Sequence, residues 1–410
     1  MYVINIKRLH TVADSNVGSL AGAQMGYAPC VGDAWLHIVD GKVEAYGPMS
    51  DFKYNVSAEE IYDAAGGDVI PAFCDSHTHI IYAGSRDGEF LDKINGLSYE
   101  EIAARGGGIL NSADRLHNTS EDELFCQSIV RAREMMSKGT GAFEVKSGYG
   151  LTVADELKML RVAARIREAV PAKVKITFLG AHAVGRAYQG CQSEYVEMLI
   201  GEMLPAVAAE GLADYVDVFC DRGFFTVEET DRILTAAARY GMRPKIHANE
   251  LDNSGGVQVG VKHRALSVDH LERMGDDEIE VLRGSGTIAT MLPGASFFLG
   301  MPYAPARSAV DAGLTVALAS DYNPGSSPSG DMRMVWALGC IKMRLTPTEA
   351  LAACTINGAA AMSLGTELGS LAPGRTASFV VTVPVPSLTF IPYAYTTPWI
   401  RDVFIAGKTI

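Results

Sequence analysis

Between residues 67 and 330, short apolar runs of strand length alternate with longer segments whose apolar positions recur three and four residues apart. Strand side chains repeat every second residue and helical ones every 3.6, so this alternation predicts repeated β-α units. Eight runs can be counted, at 69–76, 142–146, 174–180, 215–220, 244–247, 266–269, 287–292 and 315–320. Eight parallel strands, each followed by a helix, close a barrel, so the predicted fold class is α/β, a (β/α)8 TIM-like barrel. The helical period is clearest at 121–137, 153–168 and 227–240.

The two ends of the chain read differently. Residues 35–46 alternate around Asp40-Gly41, a strong hairpin signal, and 376–383 and 402–410 are short strand-like runs with Gly or Pro between them. They predict a small β-sandwich domain formed from both termini, residues 1–66 and 370–410, beside a barrel at 67–369. A helical stretch at 346–364 is expected to close the barrel before the chain returns.

Composition narrows the picture. With 410 residues and 48% hydrophobic content the chain can bury a large core. A formal charge of -13, without a Lys/Arg block, argues against nucleic acid as a partner. The seven cysteines are scattered and never spaced C-x-x-C, which is ordinary usage in a reducing compartment. Neither an export signal nor a membrane span is visible, so a cytoplasmic protein with no membrane partner is expected.

Active sites of such barrels gather at the C-terminal ends of the strands. Here those ends are polar: H-T-H (His77, His79), K-S-G-Y-G (Tyr149), G-A-H (His182), H-A-N-E (His247, Glu250), D-H (His270) and S-D-Y-N-P-G-S (Asp321, Asn323). His77 and His79 are two apart, so on an extended strand their imidazoles point to one side and can share an ion. An H-x-H pair alone is more often structural. Adding His247 and Asp321 completes three nitrogen ligands and one oxygen ligand, which reverses that reading and predicts one divalent metal per chain. Zinc and iron both accept this set. Lys146 could suggest a carbamate bridge between two metals, but a single metal and a structural Lys146 are preferred. His10, His37, His117 and His263 lie away from strand ends and read as surface or packing residues.

The H-T-H after P-A-F-C-D-S, the His after the fifth run and the Asp after the eighth resemble the amidohydrolase superfamily. R-G-G-G-I (105–109), E-V-K-S-G-Y-G-L (144–151), F-L-G-A-H (178–182) and S-D-Y-N-P-G-S-S (320–327) are similar to the branch that opens an imidazolone ring in histidine degradation. This resemblance implies metal ligation by His77, His79, His247 and Asp321, and substrate contacts from Arg86, Tyr149, His182 and Glu250. It also implies that Asn323, Gly325 and Ser326 hold the ring-opened product. Asp321 would take a proton from the attacking water, His270 would stabilise the developing oxyanion, and Glu250 would hold the ring nitrogens and protonate the departing one. Arg86 can offer a two-bond fork to a carboxylate on the substrate, its bland reading being a surface salt bridge. H-A-N-E departs from the H-A-D-Q or H-A-D-E often found in the family, so Asn249 is not expected to act as an acid. Gly106 to Gly108 read either as a rim loop over the site or as a tight turn.

Two other functions fit the same sequence. One is a different mononuclear amidohydrolase, such as a heterocycle deaminase, with the same ligand set. The other is a barrel that has lost catalysis and serves as a scaffold. Arg86 together with K-S-G-Y-G favours a carboxylate-bearing small molecule over the first, and the complete ligand set argues against the second. A homodimer stays open.

Overall fold

The structure, a computed structural model, describes residues 1–53, 60–97, 101 and 107–410. Arg105 and Gly106, with which the R-G-G-G-I segment begins, lie outside the described residues.

The barrel strands are β6 (Phe73–Asp75), β7 (Thr140–Lys146), β8 (Lys173–Ala181), β9 (Tyr215–Cys220), β10 (Arg243–Ala248), β11 (Ser267–His270), β12 (Ile288–Met291) and β13 (Val316–Leu318). They pair in parallel in chain order from β6 to β13. First and last strands meet just beyond their ends, where Thr78 and Tyr322 form a parallel bridge. There the Asp321 amide donates to the His77 carbonyl at 3.0 Å, and the His79 amide to the Tyr322 carbonyl at 2.9 Å. Buried Asp75 clasps the same seam, accepting from the Ser320 amide at 3.0 Å and from its hydroxyl at 2.5 Å.

Helices Glu121–Ser137, Val153–Ala169 and Val227–Ala238 stand where the 3.6 period predicts them. Each starts on a hydroxyl cap, Ser120, Thr152 or Thr226, accepting from an amide three residues on. The stretch at 346–364 resolves into two helices, Pro347–Cys354 and Ile356–Ala360. No described helix is long and apolar enough to cross a membrane.

Both chain ends build the second sheet. Its strands are β1 (Tyr2–His10), β2 (Cys30–Val39), β3 (Lys42–Pro48), β4 (Ile61–Asp63), β5 (Asp68–Pro71), β14 (Phe379–Thr382), β15 (Ile400–Ile405) and β16 (Lys408–Thr409). The order is β16-β15-β14-β5-β1-β2-β3 with β4 also on β1, and Val3, Leu36, Val69, Phe379 and Phe404 share a core of their own. The apolar run 69–76 is therefore two strands rather than one. Residues 68–71 pair with β1 and β14, and the chain then crosses to the barrel at Ala72. Pro71 sits at the break, where a residue without an N–H cannot extend a central ladder.

Candidate active site

Along β7, Phe143 and Val145 face the helices while Glu144 and Lys146 face inward, the alternation any strand imposes. Asp217 on β9, Lys245 and His247 on β10, and Asp269 on β11 follow the same rule, so the barrel interior is a layer of fully buried charge. Lys146 Nζ lies 2.8 Å from both Glu144 Oε1 and Asp217 Oδ2, and 3.7 Å from Asp269 Oδ2. Lys245 donates to Glu144 and, at 2.7 Å, to the Ser76 carbonyl. Burial alone would lower the Lys146 pKa, but Asp217, Glu144 and Asp269 outweigh it and raise it above the usual 10.5. Lys146 is thus locked in an ion-pair network, as its structural reading requires.

On this layer rests a ring of histidines. His77 Nε2 is 3.2 Å from His79 Nε2, which is 3.4 Å from His247 Nε2, and Asp321 Oδ1 is 3.5 Å from both His77 Nε2 and His79 Nε2. All four groups are buried. Carboxylates of the layer below address the far nitrogens: His77 Nδ1 donates to Asp269 at 2.7 Å, and His247 Nδ1 lies 2.9 Å from Asp217. A proton held on Nδ1 leaves the Nε2 lone pair directed at the shared point, the arrangement that orients metal-binding imidazoles. Burial, reinforced by Lys146 and the neighbouring imidazoles for His77 and by His182 and His247 for His79, keeps both rings well below 6.5 and neutral. With the Nδ1 atoms of His77 and His247 directed at carboxylates, the Nε2 atoms of all three rings converge on one another beside Asp321 Oδ1, a donor set that fits a divalent cation.

Above the ring opens a cavity of about 190 Å³ lined by His79, Arg86, Tyr149, His182, His247, Glu250, His270, Asp321, Asn323, Gly325 and Ser326, among others. Every residue singled out from the strand ends lines it, except His77, which lies beneath. His182 Nδ1 donates to the Gly148 carbonyl at 3.0 Å, and burial, with His247 nearby, brings its pKa down to about 3. Gly148, at φ +108°, could carry no side chain, because a Cβ would come within 2.9 Å of His182 Nδ1. Glu156 fixes that turn by accepting from the Gly148, Gly150 and Leu151 amides.

His270 sits between two carboxylates, Glu250 Oε2 and Glu272 Oε2, both at 3.5 Å. Burial alone would lower its pKa, but the two carboxylates raise it well above 6.5; burial pushes Glu250 up to about 7. Strand alternation would send His270 outward with Val268. Its φ of 84° departs from strand geometry, and it lines the cavity instead. Asp321 is also left-handed, at φ 54°, and its carboxylate accepts from Ser326 Oγ at 3.2 Å. Asn323 Oδ1 in turn accepts from the Gly325 and Ser326 amides at 2.8 Å. Asn249, at φ 55°, occupies a left-handed backbone conformation that Asn and Asp both tolerate.

A family model described as the Amidohydrolase family matches residues 69–410. An imidazolonepropionase of Christiangramia forsetii is 52% identical over 410 residues, covering 100% of both chains. That of Flavobacterium johnsoniae is 50% identical over 406 residues, 99% of this chain and 98% of its own. This chain belongs to the imidazolonepropionase family. Among solved structures, the 5-methylcytosine deaminase of Klebsiella pneumoniae superposes with a TM-score of 0.75 at 17% identity, covering 100% of this chain and 97% of that one. At that identity the likeness speaks for the fold alone.

Beyond the motifs of the imidazolonepropionase family, the geometry brings in groups that sequence reasoning missed. Asp221 accepts from the amides of Glu250, Leu251 and Asp252 and so anchors the loop that carries Glu250. Phe219, Phe224 and Leu299 supply apolar wall, and Lys93 lines the mouth. Arg86 is ion-paired: its Nε and Nη2 donate to Glu89 Oε2 at 2.8 and 2.6 Å. Arg86 thus lines the cavity while most of its fork is spent on a neighbour. His10, His117 and His263 each face a carboxylate away from the site, and His37 stacks on Tyr2.

Proposed function

We propose that this chain hydrolyses 4-imidazolone-5-propanoate to N-formimidoyl-L-glutamate, with one divalent cation, zinc or iron, held by His77, His79, His247 and Asp321. The observation that carries the reading is the convergence of three imidazole nitrogens and one carboxylate oxygen at the floor of a cavity that also holds a cation for the propionate. A divalent cation there supplies Lewis acidity and brings the pKa of water toward roughly 7, so that a nucleophile exists at neutral pH.

The chain's own groups do the rest. Asp321 takes the proton of the attacking water as a C–O bond forms at the ring carbonyl. His270, held by Glu250 and Glu272, donates toward the oxygen on which charge develops. Glu250 hydrogen-bonds the ring nitrogens and delivers a proton to the one that departs as the C–N bond breaks. Tyr149 and His182 position the ring and, with Arg86, the propionate. Asn323, Gly325 and Ser326 receive the opened product. The scattered cysteines fit a reducing compartment, and we place the reaction in the cytoplasm.

The test generates imidazolonepropionate in situ from urocanate and follows its disappearance spectroscopically, with ammonia measured in parallel. Protein-dependent loss of the substrate without ammonia is expected. Ammonia release from a panel of heterocycles, with no loss of imidazolonepropionate, would turn the assignment toward a deaminase.

A further inference from the structure

The mouth of the cavity carries two cations on one short helix. Arg86 precedes helix Asp87–Ile94 and Lys93 lies seven positions on, with Glu89 between them at i+3. That spacing sets all three on one helical face. The face looks onto the turn after β13: a Cβ on Gly325 would lie 2.3 Å from Arg86 Nη1, and the Gly325 carbonyl is 3.4 Å from Lys93 Nζ. The guanidinium thus packs where a side chain on residue 325 would stand, while the ammonium reaches the same residue.

Their charges are not equally available. Glu89 neutralises Arg86 at 2.6 Å and is itself held by the Gly108 amide at 3.2 Å and Asn111 Nδ2 at 3.1 Å, so it is not free to leave. Lys93 has no such counter-charge: among the described residues no carboxylate comes within ion-pair distance of it, and its other neighbour is the Phe298 ring, 5.5 Å from Nζ. The set Arg86, Glu89, Lys93 therefore carries a net charge of about +1, and the unbalanced unit lies on Lys93. Burial, with Arg86 alongside, outweighs the attraction of the more distant Glu89 and lowers the Lys93 pKa.

We infer that Lys93 is the specificity-determining cation of this site, supplying the net positive charge that selects a carboxylate-bearing substrate, while Arg86 acts as a neutralised, directional donor beside it. The inference rests on the ring-hydrolysis reading above and deepens it.

Metal-loaded wild type, Lys93→Met and Lys93→Arg are compared for turnover of imidazolonepropionate and for calorimetric binding of two unreactive probes, imidazole-4-propanoate and its propanamide. Losing one charge-assisted contact weakens binding by about 10- to 100-fold. Lys93→Met should raise KM and the Kd of the carboxylate probe by that factor, lower kcat less, and leave the amide's Kd and the metal content unchanged. Lys93→Arg should recover most of the loss. Wild-type affinity for the carboxylate probe in Lys93→Met, or equal weakening toward carboxylate and amide, overturns the inference while the ring-hydrolysis reading stands. A wild type that consumes no imidazolonepropionate overturns both.

Discussion

The floor and the mouth of this cavity both contain lysine, glutamate and a basic partner, yet they are built on opposite terms. At the floor, Lys146 and Lys245 are fully buried against Glu144, Asp217 and Asp269, every charge faces an opposite one, and two of the carboxylates continue into His77 and His247. At the mouth, Glu89 answers Arg86 and leaves Lys93 over. Buried charges must be paired, because an unpaired one costs several kcal/mol, whereas a half-exposed ammonium keeps water until a ligand replaces it. The floor can therefore hold a geometry, and the mouth can discriminate between ligands.

Substitutions at the floor and at the mouth probe that contrast. The largest effect belongs to the ring on the floor: His77→Ala or His247→Ala should lose most bound metal and nearly all activity, because three ligands make an incomplete shell. Metal content near wild type in both, read by elemental analysis, would show that neither is a ligand. Next, Glu250→Gln should keep its metal but fall in kcat by about 10²- to 10⁴-fold, since an amide preserves shape without carrying a proton. Wild-type kcat would reduce Glu250 to positioning.

Lys245→Met sharpens the comparison by making at the floor the change already described for Lys93 at the mouth. It leaves Glu144 buried with one cation fewer, so a loss of about 3–5 kcal/mol in denaturant unfolding is expected. Lys93→Met should shift the same curve by less than about 0.5 kcal/mol. Equal losses would erase the distinction between the two regions. The smallest effect is expected of Arg86→Lys, which keeps charge but cannot reproduce the planar fork, most of which Glu89 occupies. A KM rise of no more than about 10-fold follows; one larger than that of Lys93→Met would return the leading role to Arg86.

The floor was more legible in the sequence than the mouth. H-T-H, H-A-N-E, D-H and S-D-Y-N each end an apolar run, and barrel topology alone brings run ends together, so His77, His79, His247, His270 and Asp321 could be grouped without coordinates. The charged layer beneath had a signal that was not used: Glu144, Lys146, Asp217, Lys245 and Asp269 fall at alternate positions within runs otherwise apolar, and a charge there can only point into a filled barrel. Lys93, Glu89 and Asp221 left no comparable trace. Their roles come from a helix face meeting a turn more than two hundred residues later, or from a carboxylate catching loop amides, and neither proximity is periodic. Pro71 inside the first run was a visible warning that one strand was two.

The seam where the barrel closes has a thermodynamic consequence. Asp75 clasps Ser320, the Asp321 amide bonds the His77 carbonyl, and the proposed ligands His77 and His79 follow the first strand while Asp321 follows the last. An ion bound by these groups would straddle the join like a rivet, and any ligand that prefers the closed state shifts the folding equilibrium by mass action. Occupancy of the site and integrity of the whole β-ring would then be one linked equilibrium, so that scarcity of the cation would weaken the scaffold itself as well as silence its chemistry.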